Sequence, residues 1–212
     1  MCIRDRHQRL PWLDILRGIA VLLMILFHLN YSLVHIFWSH ILDVSGGFWF
    51  LVGRVAVILF ILVSGLSYFL AEKKYKNLIF RKYFRYAWVI AIMASFVSLA
   101  TYIFFPEQFI IFGILHFFAL SFLLLPLVAK LFWGYIFLPA IGIMMLWYTA
   151  WEVNSPYFFP LGWYGNNFFS ADYYPLVPWF GVLLFGYFLG ILLEKYALWL
   201  SLIHIWRCRR RG

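Results

Sequence analysis

Charge is scarce in this chain. Of 212 residues only 12% are Asp, Glu, Lys or Arg, whereas 66% are hydrophobic and 24% are aromatic. A soluble domain of this size needs far more polar surface, so a water-soluble fold is excluded. Cysteine is nearly absent, with Cys2 near one end and Cys208 near the other. Neither a disulfide framework nor a metal–thiolate cluster is expected from them, and no metal is expected. Soluble domains, low-complexity linkers and internal repeats are missing too. What remains is one multi-pass membrane unit, an all-α transmembrane helix bundle.

Both ends are expected to be foreign to that unit. MCIRD can be encoded by a DNA whose reverse complement encodes Ser-Leu-Ile-His-Ile, the residues found at 201–205. One short element read on opposite strands thus supplies both ends. It resembles the mosaic-end adapter of transposase-based sequencing libraries. Residues 1–6 and 200–212 are therefore set apart from residues 7–199, and the native sequence is expected to continue further. The formal net charge of +9 then falls to +4, because six of 17 cations and one of eight anions go with the ends. The basic tail, Arg207 and Arg209 to Arg211, goes too, so no nucleic-acid partner is expected.

The hydrophobic runs predict six spans, at about 12–36, 48–71, 84–105, 110–129, 133–151 and 176–195. Lys73, Lys74, Lys76, Arg81, Lys82 and Arg85 cluster between the second and third, with Arg9, Lys130 and Lys195 on the same side. The opposite loops, 37–47, 106–109 and 152–175, hold no Lys or Arg. The positive-inside rule therefore predicts a cytoplasmic amino terminus. The 152–175 loop is expected outside, folding back as a lid, and Trp151, Trp163 and Trp179 suit the headgroup boundary.

The first span carries a polar seam. Arg17 and His28 bracket ten uncharged residues, and eleven steps at ~100° bring both to one face. Asp14 lies three residues before Arg17, within ion-pair reach, and Ser32 and His35 continue the stripe beyond His28. Lipid penalises such a seam, so it is expected to face the bundle interior. Arg17 and His28 are ~16 Å apart along the axis, too far to touch. The spacing suits a substrate that anchors an anionic part low and extends its reacting end upward, the shape of coenzyme A. A neutral imidazole there can accept a proton from an attacking amine or hydroxyl. It can also attack the thioester and carry the acyl group. Blander readings stand beside these: Arg17 snorkels to lipid phosphate with Asp14 as partner, and His28 makes an interhelical hydrogen bond.

Other polar positions are few. Arg54, early in the second span, suits an anionic or carbohydrate group, or serves as an interfacial anchor. Ser64-Gly65 is expected at a close helix contact. His116 in FGILHFF is a functional candidate or a structural hydrogen bond. His40 lies in the first outer loop. Asp172 precedes YYPLVPWFG and is expected to cap the sixth helix, whose start Pro175 and Pro178 mark. The basic 73–85 stretch can attract coenzyme phosphates, although topology alone accounts for it.

In that order LDILRGIAVLLMILFH, FILVSGLSYFL, FGILHFFALS and PLVPWFGVLLFGYFLG resemble the bacterial membrane proteins related to heparan-alpha-glucosaminide N-acetyltransferase, over about residues 10–196. The arginine–histidine spacing also resembles that of integral-membrane acyltransferases that O-acetylate cell-surface sugars, and Ser64-Gly65 resembles their serine-glycine segment. The resemblance implies a transmembrane acyltransferase domain in a bacterial inner membrane. It would move an acetyl group from cytoplasmic acetyl-CoA to a glycan or amino-sugar acceptor across the bilayer, with membrane lipid as its surroundings. It further implies His28 first, and His40 second, as the catalytic histidine. On the reading of the residues themselves, Arg17 oriented by Asp14 is expected at the donor, and His116, Arg54 and Asp172, with Ser64, at the substrate. N- versus O-acylation and the oligomeric state stay open. A transporter or flippase with a polar pathway along the first helix is the competing expectation.

Overall fold

In a bilayer core no water satisfies backbone N–H and C=O groups, so apolar runs of this length must close their own hydrogen bonds as helices. A computed structural model of the protein describes residues 11–37, 47–75, 78–132, 135–146, 156–163 and 170–209. Its helices are α1 (Pro11–Phe37), α2 (Gly47–Tyr75), α3 (Ile79–Phe104), α4 (Ile114–Leu131), α5 (Phe137–Met145) and α6 (Leu176–Arg209). Short 3-10 turns at Pro106–Gln108 and Pro156–Leu161 lie between them. Five of these helices, all but α5, are long and apolar enough to cross a membrane.

The fifth expected span is described only in part. Across 133–151 the structure describes a nine-residue helix, Phe137–Met145, which rises only ~13 Å. Residues 147–155 lie outside the described residues. The sixth helix, by contrast, runs beyond its expected end to Arg209. Its regular part begins at Pro178, because Val177 is extended (φ −96°, ψ 122°), the conformation imposed on a residue before proline.

The chain divides into two compact units, Met1–Ser64 and Gly65–Gly212, with the boundary inside α2. In the first unit, α1 buries Leu13 and Ala20 on one face. The Phe27 ring lies against Gly53 of α2, and a Cβ there would come within 2.8 Å of it.

In the second unit, α3 packs on α4 and α5 on α6. Tyr83, Ala87 and Ala94 form the inward stripe of α3, and Phe118, Ser121, Leu125 and Ala129 that of α4. These stripes follow the helical repeat, with small residues that let helices approach. The best-covered span is that of α6, with 56% of its most apolar window buried against 11% for that of α3. It meets the carboxyl-terminal part of α2 at Gly65, where a Cβ would stand 2.0 Å from the Leu183 carbonyl oxygen. Glycine is required there because the opposing atoms are backbone and cannot swing away. The exposed Trp88, Ile92, Phe96, Leu99 and Ile103 of α3 suit lipid tails, which are as apolar as they are.

Candidate functional site

The predicted residues fall into three groups. On α1 the Arg17 guanidinium donates to Asp14 Oδ1 at 2.7 Å, the ion pair expected from their spacing. Asp14, Arg17 and His28 are exposed on the described chain, with Ser32 half-buried. Within the first unit, then, the seam is not covered. The inward face is carried by Leu13 and Ala20, and the seam lies roughly 100° around the helix from its centre. The His35 side chain and all of His40 lie outside the described residues.

Sequence reasoning passed over Asn30. It is 3% exposed, and neither amide atom has a hydrogen-bond partner among the described residues. A buried primary amide with nothing to bond is costly, by about 1–3 kcal/mol. The signal was available, since Asn30 lies two residues after His28 in an apolar run. It was overlooked because it falls off the polar stripe.

Arg54 is exposed on α2, its guanidinium 5.0 Å from the Phe50 ring centre. One turn before the unit boundary the helix is apolar, and at the boundary the Ser64 hydroxyl donates to the Phe60 carbonyl at 2.7 Å. That local bond satisfies the hydroxyl within its own helix.

The structure brings His116 and Asp172 together at the start of α4. Helix starts leave N–H groups without intrahelical partners. Here the Gly113 N–H donates to His116 Nδ1 at 3.3 Å, and the Ile114 N–H donates to Asp172 Oδ2 at 2.9 Å. Asp172 thus caps the fourth helix, its carboxylate also suiting the positive end of the helix dipole. The Ser98 hydroxyl donates to the Ile110 carbonyl at 2.7 Å and lies 3.3 Å from His116 Nε2. With Nδ1 accepting, Nε2 carries the proton and donates to Ser98. Both ring nitrogens are thereby engaged inside the protein, and protonating Nδ1 would break the cap. The surrounding loops are tied in the same way. The Ile111 N–H donates to Ser170 Oγ, and the Tyr173 hydroxyl donates to the Phe159 carbonyl at 2.6 Å.

A further cluster was not anticipated. The Tyr187 hydroxyl of α6 donates to Glu72 Oε2 of α2 at 2.6 Å, and Lys73 Nζ pairs with Glu194 Oε2 at 2.9 Å. Tyr68, one turn before Glu72, is fully buried, its hydroxyl without a partner among the described residues and its ring 4.6 Å from that of Tyr83. Counting basic residues in the sequence drew attention to the lysines and away from the two glutamates between which the helices are fastened. Among the described residues no three His, Cys, Asp or Glu side chains gather as metal ligands would.

A bundle of long apolar helices with an ion pair, an imidazole and an unpartnered amide on its first span defines an integral membrane protein carrying polar chemistry inside its spans. Residues 9–207 match the family model of the heparan-alpha-glucosaminide N-acetyltransferase catalytic domain, and the chain belongs to that family. It is a membrane acetyltransferase. No individual curated protein and no solved structure shows significant similarity to it.

Proposed function

We propose that the protein transfers the acetyl group of cytoplasmic acetyl-CoA to a hydroxyl or amine of a cell-envelope glycan on the far side of a bacterial inner membrane, with its amino terminus in the cytoplasm. The observation that carries this reading is the seam on α1: an Asp14–Arg17 ion pair at 2.7 Å and His28, all exposed on a helix otherwise fit for lipid. Groups of this kind are not left against lipid tails, so this face borders a polar path. In the proposal, Arg17, held by Asp14, binds the anionic part of the donor. His28 stands ~16 Å further along, where the thioester of an extended donor would lie. His28 takes the proton of the attacking hydroxyl or amine, or accepts the acetyl group itself before passing it on. His40 is the second candidate for the histidine role. His116, Asp172 and Ser64 act one step back, holding the helix ends and contacts that shape the acceptor side.

The test is acetyl transfer from radiolabelled acetyl-CoA supplied to one face of vesicles containing the protein. His28→Ala is expected to abolish transfer, with His40→Ala compared alongside. Wild-type transfer in both variants would remove the mechanism. Movement of a substrate with no acetyl-CoA consumed would replace it with transport.

A further inference from the structure

Phe27 and Gly53 fix how α1 and α2 meet, because the ring fills the space a Cβ would take at 2.8 Å. The two helices are consecutive spans and so run antiparallel. Where antiparallel right-handed helices meet at two facing residues, the next residue of each turns ~100° toward the same side of the pair. His28 follows Phe27 and Arg54 follows Gly53. The two therefore share one side of the hairpin, offset by ~3 Å along its axis, with the axes about 8–10 Å apart. Side chains lean toward the start of their own helix. For His28 and Arg54 those directions converge. The guanidinium lies over Phe50, one turn toward the start of α2, as this lean requires. Both side chains are exposed, so the side they share is open to a ligand.

We propose that Arg54 is a catalytic residue of the acetyl transfer, its guanidinium beside the His28 imidazole binding the oxyanion that forms on the thioester carbonyl. This rests on the acetyl-CoA reading above. The acceptor hydroxyl or amine gives its proton to the imidazole as its oxygen or nitrogen bonds to the carbonyl carbon. The carbonyl π pair moves onto oxygen, where the guanidinium N–H groups and positive charge receive it. Collapse re-forms the carbonyl and breaks the carbon–sulfur bond, and the thiolate leaves with the proton held by His28. Donors aimed at charge that develops only in the transition state raise kcat rather than tighten substrate binding.

Two measurements test this separately from the reading it rests on. In a background with Cys2→Ser and Cys208→Ser, the pair His28→Cys/Arg54→Cys is expected to link through a bis-maleimide of about 10 Å span. The control pair His28→Cys/Val52→Cys, on opposite sides of the hairpin, is expected to stay unlinked. In vesicles, Arg54→Gln is expected to lower kcat about a hundred- to a thousand-fold with KM nearly unchanged. Cross-linking of the control but not of the test pair overturns the geometry. A formed link with an unchanged kcat in Arg54→Gln overturns the role of Arg54 while leaving His28 as base or carrier. Undiminished transfer in His28→Ala strikes the underlying mechanism instead.

Discussion

Replacing Gly65 by alanine probes the packing of α2 on α6 with one methyl group. The new Cβ would stand 2.0 Å from the Leu183 carbonyl oxygen and 2.9 Å from the Tyr187 backbone nitrogen. Ordinary contact needs more than 3.4 Å, and neither opposing atom belongs to a side chain that can turn aside. The helices must separate by more than an ångström, pulling apart Tyr187 and Glu72, which bond only two turns away along α2. Overpacking of this kind costs roughly 1–3 kcal/mol, and a clash with backbone on both counts puts Gly65→Ala near the upper end. At 1.4 kcal/mol per factor of ten, 2–3 kcal/mol lowers the folded-to-unfolded ratio about 30- to 150-fold. A chain of this size would lose about 4–12 °C in Tm. Gly18→Ala is the matched control, since nothing lies within 4 Å of its Cβ position. There the better helix propensity of alanine leaves stability unchanged or raised by up to ~1 kcal/mol. Thermal unfolding in detergent, followed by size-exclusion chromatography, measures both. Equal Tm values for the two variants would refute the close approach of α2 and α6.

Tyr187→Phe removes the donor to Glu72 and is expected to cost about 1.5–3 kcal/mol, the range for hydrogen bonds to a charged group. Glu72→Gln keeps an acceptor and is expected to cost less, and the same unfolding assay compares them. His116→Ala loses both the cap on Gly113 and the bond to Ser98, an expected cost of about 1–2 kcal/mol. His116→Gln, whose side chain can still accept from the N-cap N–H, is expected to recover part of it. A large fall in kcat for His116→Gln at unchanged Tm would show instead that the ring serves the acceptor. Asn30→Leu relieves an unpartnered buried amide, so Tm is expected to hold or rise. A clear fall in Tm would show that the amide is bonded in the folded protein.

The five long helices were legible because the bilayer sets their length: a run near 20 apolar residues has few other fates. Of the run at 133–151 the structure describes the α-helix Phe137–Met145. That helix is fastened along α6, where a Cβ on Gly181 would stand 2.7 Å from the Ala140 carbonyl oxygen. Apolar surface covered by a neighbouring helix reads in a hydropathy window just as surface covered by lipid does. The ion pair of Asp14 and Arg17 was legible for a local reason, since three residues along a helix fix the reach. The bond from Tyr187 to Glu72 was not, because it joins residues 115 apart in sequence.

Polarity within a span was the weaker guide to chemistry, and the hydrogen bonds show why. From sequence alone, His116 and His28 are equivalent: ionisable groups where lipid would penalise them. Helix ends create a competing demand for such groups, because their backbone N–H donors also need partners. His116 and Asp172 meet that demand at Gly113 and Ile114, and Ser64 is taken up by the Phe60 carbonyl. These groups are satisfied by the fold before any substrate arrives, and recruiting them to bind one would mean breaking what holds the fold. His28 and Arg54 stand in the opposite condition, exposed on a shared side of one hairpin. A substrate can reach exposed groups without breaking a helix cap. The weight of the chemistry therefore moves to the pair formed by α1 and the first part of α2, and there the variants of His28 and Arg54 must act on turnover more than on stability.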